Sequence, residues 1–354
     1  MITSRRWLCW LPVLLAACGQ PEPVMQQEAQ QEETVAAPAT EADSPVAALP
    51  IHQASTESPE RQPNELGRIP VLEYHLFGET EGRWQRTPAR FREDLELLYA
   101  RGYRPITIRQ LMERRIDLPA GLSPVVITFD DASPGQFRYV QDGDSLVVDP
   151  ESALGIWLDM NRRYPDWENR GVFCMLSGAE AGRSFFGDKG IEGQESAWRL
   201  RKVKQLADLG FELCNHTLWH ASLSKMSPAQ VQEQIALLQL AIDSAVPGYQ
   251  ARTFALPLGE WPADRGLVLR GSWTDPKTGR TTTYEHDAVL LVAGGPTRSP
   301  YDPEFNPLRI TRVQVFEDEL LTVLNRLDRS GNRYVSDGDP TRVTAPPKAA
   351  ADGA

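Results

Sequence analysis

Pro124-Val125-Val126-Ile127-Thr128-Phe129-Asp130-Asp131 is a β-branched run that ends abruptly in two aspartates. Such residues suit an extended backbone, and a run apolar at successive positions predicts a strand covered on both faces. The same pattern recurs outward from it. Residues 69–75 and 103–106 read as short strands before it, and residues 171–176 and 211–215 as strands after it. Helical spacing separates them. Phe91, Leu95, Leu98 and Tyr99 predict a helix over 88–101 that Gly102 closes, and a shorter one follows over 108–113. Residues 198–209 predict another, ended by Gly210. Ser227 and Pro228 start a long one through Val231, Ile235, Leu238 and Ile242. Residues 254–256, 288–292 and 308–315 complete the strands. This alternation predicts an α/β fold with a parallel sheet, in the form of an irregular or partly open (β/α) barrel of about seven parallel strands. In such barrels the chemistry sits at the C-terminal strand ends.

Polar residues collect at those ends. The chain has five histidines, and His216 and His220 lie four apart directly after strand 211–215. On a helical turn that spacing puts both imidazoles on one face, within reach of one ion. Taken alone, a His-x-x-x-His pair is as readily packing or surface. Asp130-Asp131 at the end of another strand of the same sheet changes that reading. Two adjacent carboxylates at a buried strand end are costly unless compensated, and a divalent cation compensates them. One aspartate can then bind the metal while the other accepts a proton from water.

Thr128-Phe129-Asp130-Asp131 and His216-Thr217-Leu218-Trp219-His220 resemble the first two motifs of the polysaccharide deacetylases, carbohydrate esterase family 4. Phe254-Ala255-Leu256-Pro257-Leu258-Gly259 resembles the third motif. Ile69-Pro70-Val71-Leu72-Glu73-Tyr74-His75 and Gly102-Tyr103-Arg104-Pro105-Ile106-Thr107 resemble the first two strands. The resemblance implies that Asp131, His216 and His220 hold Zn2+, or Co2+ or Ni2+, and that Asp130 is the general base. It also implies that the Leu258 N–H helps stabilise the oxyanion and that an acetylated glycan is the substrate. Trp219 and Pro257 are the candidate sugar contacts.

Two departures stand out. The third motif carries an arginine that orients the base, and Ala255 stands in its place; Arg252, three residues earlier, is either a substitute from another direction or a surface residue. The late Leu-His motif that donates the general acid has no counterpart. That leaves His75 and His286, of which His75, closing the first strand, is better placed. These gaps keep two alternatives open: a glycan-binding protein of the same fold with weak or no turnover, and a hydrolase of small non-glycan amides.

The ends of the chain read differently from its middle. Arg5 and Arg6 precede an apolar run too short to span a bilayer, as in a secretory signal. Leu15-Ala16-Ala17-Cys18 resembles a bacterial lipobox, which implies lipidation of Cys18 and a membrane partner. Gly19 points to the periplasmic face of the outer membrane of a Gram-negative cell envelope. Residues 18–65 are Gln-, Glu-, Ala- and Pro-rich and predict a flexible tether after a signal over 1–17. The catalytic domain is expected over 66–329 and a disordered tail over 330–354. A net charge of -11 over 354 residues argues against nucleic acid as a partner. Cys174 and Cys214 are either a disulfide or two buried core residues. The long stretch 132–170 is expected to hold helical structure that caps the site or extends a groove.

Overall fold

Every strand of the main sheet runs parallel to its neighbours, as the apolar runs require. The structure, a computed structural model, describes residues 61–179 and 184–346. The signal, Cys18, the tether to residue 60 and residues 347–354 lie outside the described residues. The strands are β1 Val71–Tyr74, β2 Tyr103–Pro105, β3 Ser123–Asp130, β4 Val172–Met175, β5 Glu212–Asn215, β6 Thr253–Ala255, β7 Ala288–Leu290 and β8 Val313–Gln314. Seven of them lie in the order β7-β6-β5-β4-β3-β1-β8, and β2 pairs with the start of β3. They curl into the expected partly open barrel. The opening is spanned by one segment: Ile310 bridges Leu290 of β7, and Val313 and Gln314 pair with Leu72 and Glu73 of β1.

Strand alternation sorts the side chains into two packed sets. Leu72, Tyr74, Val125, Ile127, Phe129, Phe173 and Leu213 pack outward against helices through Phe91, Leu95, Leu238 and Val323. Val71, Val126, Val172, Cys174, Cys214, Ala255, Leu290 and Ile310 fill the barrel. Stepping two residues along each strand from Val71, Val126, Cys214 and Ile310 therefore brings Glu73, Thr128, His216 and Arg312 to the barrel side, with Asp130 two beyond Thr128. The sequence turns from apolar to polar at these positions, and there the barrel interior ends in a site.

The helices start where their caps specify. Thr87 caps Pro88–Ala100, and Ser227 with Gln230 forms a capping box on Pro228–Ala245. Other expectations are corrected. Residues 308–315 form a strand only at β8, because Pro307–Arg309 is a 3-10 turn. The stretch 132–170 holds helical structure as expected, but that structure packs into the core. Its helix Ala153–Arg163 buries Trp157 against Phe129 and Phe211, while a hairpin of Tyr139–Asp142 and Ser145–Val148 precedes it.

The domain also extends past 66–329 at both ends. Asn64 bridges Val335, Arg68 bridges Arg333, and the Thr344 N–H donates to Glu65 at 2.8 Å. Tyr334 is buried in the barrel-filling set, and the Arg333 guanidinium stacks 3.8 Å above Tyr103. The polar composition after Arg329 hid one buried aromatic and one stacked arginine that tie the segment down. Cys174 and Cys214 are free thiols, paired in register across β4 and β5.

Candidate metal centre

The site begins where β3 ends. Asp130 is the last strand residue and stays inside the barrel, while Asp131 and Ala132 adopt left-handed φ of 78° and 47°. That sharp turn splits the pair, giving two neighbouring carboxylates different surroundings. His216 follows β5 directly. It does not share a helix face with His220: Thr217 and His220 have φ of 67° and 63°, so 216–220 is an irregular turn. The turn is pinned by the Thr217 N–H on Asn215 Oδ1 at 3.0 Å and the Ala221 N–H on Thr217 Oγ1 at 3.2 Å.

Folding still brings the three expected ligands together. His216 Nε2 and His220 Nε2 lie 3.5 and 3.7 Å from Asp131 Oδ1, and the ligand atoms of all three residues fall within 4.8 Å of one another. His216 Nδ1 is 2.8 Å from the Ala255 carbonyl, which fixes the proton on Nδ1. Its Nε2 is buried and faces the Asp131 and Asp130 carboxylates at 3.5 and 3.8 Å. One carboxylate and two imidazoles with this spacing are a fitting donor set for a divalent transition metal with coordination positions left open.

Arg312 is the residue that sequence reasoning missed. Its guanidinium is fully buried and grips Asp130 with both arms, Nη1 to Oδ1 and Nη2 to Oδ2, each at 2.8 Å. Nε donates to the Leu291 carbonyl at 2.7 Å, Nη1 also reaches Thr128 Oγ1 at 3.1 Å, and Nη2 lies 2.7 Å from Glu73 Oε1. Burial pushes the Asp130 carboxyl up, but Arg312 and then His216 outweigh it and hold it far below the usual range. Asp131 is likewise brought down to about 2, His216 overcoming burial. Glu73 is raised, because burial exceeds the pull of Arg312. Arg252, the substitute suggested by position, instead forms surface ion pairs with Asp287 at 2.6 Å and Glu285 at 2.8 Å. The signal for Arg312 was present: a cation in phase with Leu308 and Ile310, where the alternation calls for another apolar side chain.

A cleft of about 410 Å³ opens over these groups, lined by Glu73, His75, Asp130, Asp131, His216 and His220 with an apolar wall that includes Trp84 and Leu258. His75 sits at the end of β1, its ring 4.7 Å from that of Trp84 and its Nε2 3.8 Å from Glu73 Oε1. Burial lowers its pKa. His286 is elsewhere, buried against Phe254 and Tyr284 with Nδ1 on the Val268 carbonyl. Glu73, His75 and Asp130 also cluster within 4.8 Å, but Arg312 lies against both carboxylates and supplies the positive charge there. Leu258 has φ 58° and is 55% exposed at the mouth. The two expected sugar contacts lie apart from the cleft wall. Pro257 is buried at the start of the Pro257–Gly259 turn, and Trp219 is exposed beside His220 but outside the cleft lining. Trp84, on the loop between Leu76–Phe77 and Gln85–Arg86, is the tryptophan that forms the wall.

Residues 173–270 match the family model described as polysaccharide deacetylase, a span that includes His216, His220 and Leu258. A chitooligosaccharide deacetylase of Bradyrhizobium sp. (strain ANU 289) is 34% identical over 62 residues, 18% of this chain and 28% of that protein. The chain thus matches under a third of the curated relative's length. Among solved structures, a Streptococcus pyogenes deacetylase in complex with acetate superposes with a TM-score of 0.51 at 16% identity, covering 73% of this chain and 97% of that one. A putative polysaccharide deacetylase of Bacillus anthracis gives 0.50 at 17% identity, over 72% of this chain and 68% of that one. These structural likenesses establish the shared fold.

Proposed function

We propose that this chain is a member of the polysaccharide deacetylase family and a metal-dependent hydrolase removing acetyl groups from an acetylated polysaccharide of the cell envelope. The observation that carries the reading is the pairing of the Asp131, His216 and His220 donor set with a separate carboxylate, Asp130, locked by Arg312. Asp131, His216 and His220 would hold the divalent cation, Zn2+ or alternatively Co2+ or Ni2+. When bound, such a cation supplies Lewis-acid polarisation of the acetyl carbonyl and acidifies water.

The chain's own groups supply the rest. Asp130 stays ionised beside Arg312 and takes the proton of the attacking water, its lone pairs aimed by the guanidinium fork. The Leu258 N–H, presented by a left-handed turn at the mouth, donates to the oxyanion. His75, whose ring nitrogen lies within 4.8 Å of the Asp130 carboxyl, passes a proton to the leaving group. Anchoring through Cys18 at the outer membrane is the localisation we propose, resting on the N-terminal residues alone.

The non-catalytic reading drew on a missing base-orienting arginine and a missing late histidine; Arg312 fills the first place, and His75 is the group we propose for the second. The small-amide reading needs a narrow pocket, whereas Trp84 and Leu258 stand exposed at the rim. Metal-loaded full-length protein is expected to release acetate from N-acetylglucosamine oligomers, acetylated xylan or peptidoglycan fragments. Binding of these glycans without acetate release from any would favour the non-catalytic alternative instead.

A further inference from the structure

The pairing between β1 and β3 stops one residue short of the site. Its last register pair is Tyr74 with Phe129, so His75 and Asp130, the next residue of each strand, lie past the ladder. One side chain joins them there. Gln136 Nε2 donates to the His75 carbonyl at 2.6 Å and to the Asp130 carbonyl at 2.5 Å. Gln136 is fully buried in the turn that follows Asp131, and Ser133 Oγ adds a contact to the His75 carbonyl at 3.3 Å. The turn is itself braced. The Gln136 N–H donates to the Ser133 carbonyl at 3.0 Å, and the Ala153 and Leu154 N–H groups donate to the Gly135 and Gln136 carbonyls at 3.0 and 2.9 Å. A methyl group on Gly135 would lie 2.3 Å from the Phe77 carbonyl, so the turn presses directly on the chain that leaves His75.

The two ends of this bridge are not held alike. Asp130 is fixed by both arms of Arg312. His75 is followed by the loop that carries Trp84, and its ring meets that tryptophan edge-on. Asp130 is thus the anchor, and His75 is the group that the bridge locates. The donors are what the amide contributes, because Gln136 Oε1 is buried with no hydrogen-bond partner among the described residues. We infer that Gln136 is a positioning residue: its two N–H groups hold the His75 backbone against that of Asp130 and so set where the proton donor stands relative to the base. The inference rests on the hydrolase reading above and on the part given there to His75.

Gln136→Met keeps the volume and removes both donors. On chitooligosaccharides its kcat is expected to fall about tenfold or more with KM and metal content unchanged, because a displaced acid loses reach rather than substrate. Para-nitrophenyl acetate, whose phenolate departs without a proton, should lose no more than about twofold. In a His75→Ala background the same substitution should cost almost nothing further on the chitooligosaccharide, since the group it locates is gone. Gln136→Glu, which has one donor left when its buried carboxyl is protonated, should show an intermediate loss with the same substrate contrast, and it serves if the methionine variant does not fold. Equal losses on the two substrates, or losses that multiply in the double variant, would mean that Gln136 only supports the fold and would overturn the inference. A second arm needs no turnover. Crystal structures of the zinc-loaded wild type and variant should show the His75 ring displaced by about 1 Å or more while Asp131, His216 and His220 stay in place; an unmoved His75 overturns the inference. A wild type that releases acetate from neither substrate sinks the hydrolase reading, and the crystal structures still decide what Gln136 holds.

Discussion

Arg312→Met is expected to cost about 3–5 kcal/mol of stability, because it strands two buried carboxylates that one guanidinium now compensates. Asp130 and Glu73 are 1% and 2% exposed, and Arg312 itself is only 1% exposed, so water cannot take over the lost contacts. The fully apolar replacement keeps the volume and removes the charge, which isolates the electrostatic part. Acetate release should fall by about a hundredfold or more, since an unclamped base is no longer held within reach of the attacking water. Arg312→Lys separates the two effects. A lysine restores a positive charge but not the planar fork that meets Oδ1 and Oδ2 together. Stability by chemical denaturation should recover in part, while kcat should not. Equal stability of the methionine variant and wild type would mean that the clamp is not a structural keystone.

Asp130→Asn is expected to lower kcat by about 10²–10⁴-fold, the usual worth of a positioned general base. The change is isosteric and leaves Arg312 with Glu73 as an ionic partner at 2.7 Å, so it should destabilise less than Arg312→Met. Asp130 is not among the three clustered donors, so metal content should persist. Acetate-release kinetics and elemental analysis on the same preparation check both halves. Wild-type turnover would remove Asp130 from its assigned role, and loss of the metal would place it among the ligands.

Local chemistry explains what could be read from the chain. β3 was legible because Val125, Val126 and Ile127 are apolar on both faces, and Asp130-Asp131 marked its functional end. His216 and His220 were legible as a pair for the wrong geometric reason, since left-handed residues rather than a helix bring them to Asp131. Arg312 escaped because its carboxylate partners lie 182 and more residues away, and no local pattern encodes which strand closes a barrel. Trp84 escaped because its place follows from the fold of a loop over His75, not from helical or strand periodicity. The segment after Arg329 looked like a tail because Tyr334 and Arg333 act singly amid polar neighbours.

The central claim is one catalytic divalent-metal centre held by Asp131, His216 and His220. Metal stoichiometry and acetate release, measured together on wild type and His216→Ala after chelation and re-addition of Zn2+, test it most directly. The account predicts about one Zn2+ per wild-type chain, activity lost with the chelator and regained with the ion, and neither binding nor recovery in His216→Ala. Acetate release that persists through chelation, or equal zinc content in the two proteins, would contradict it.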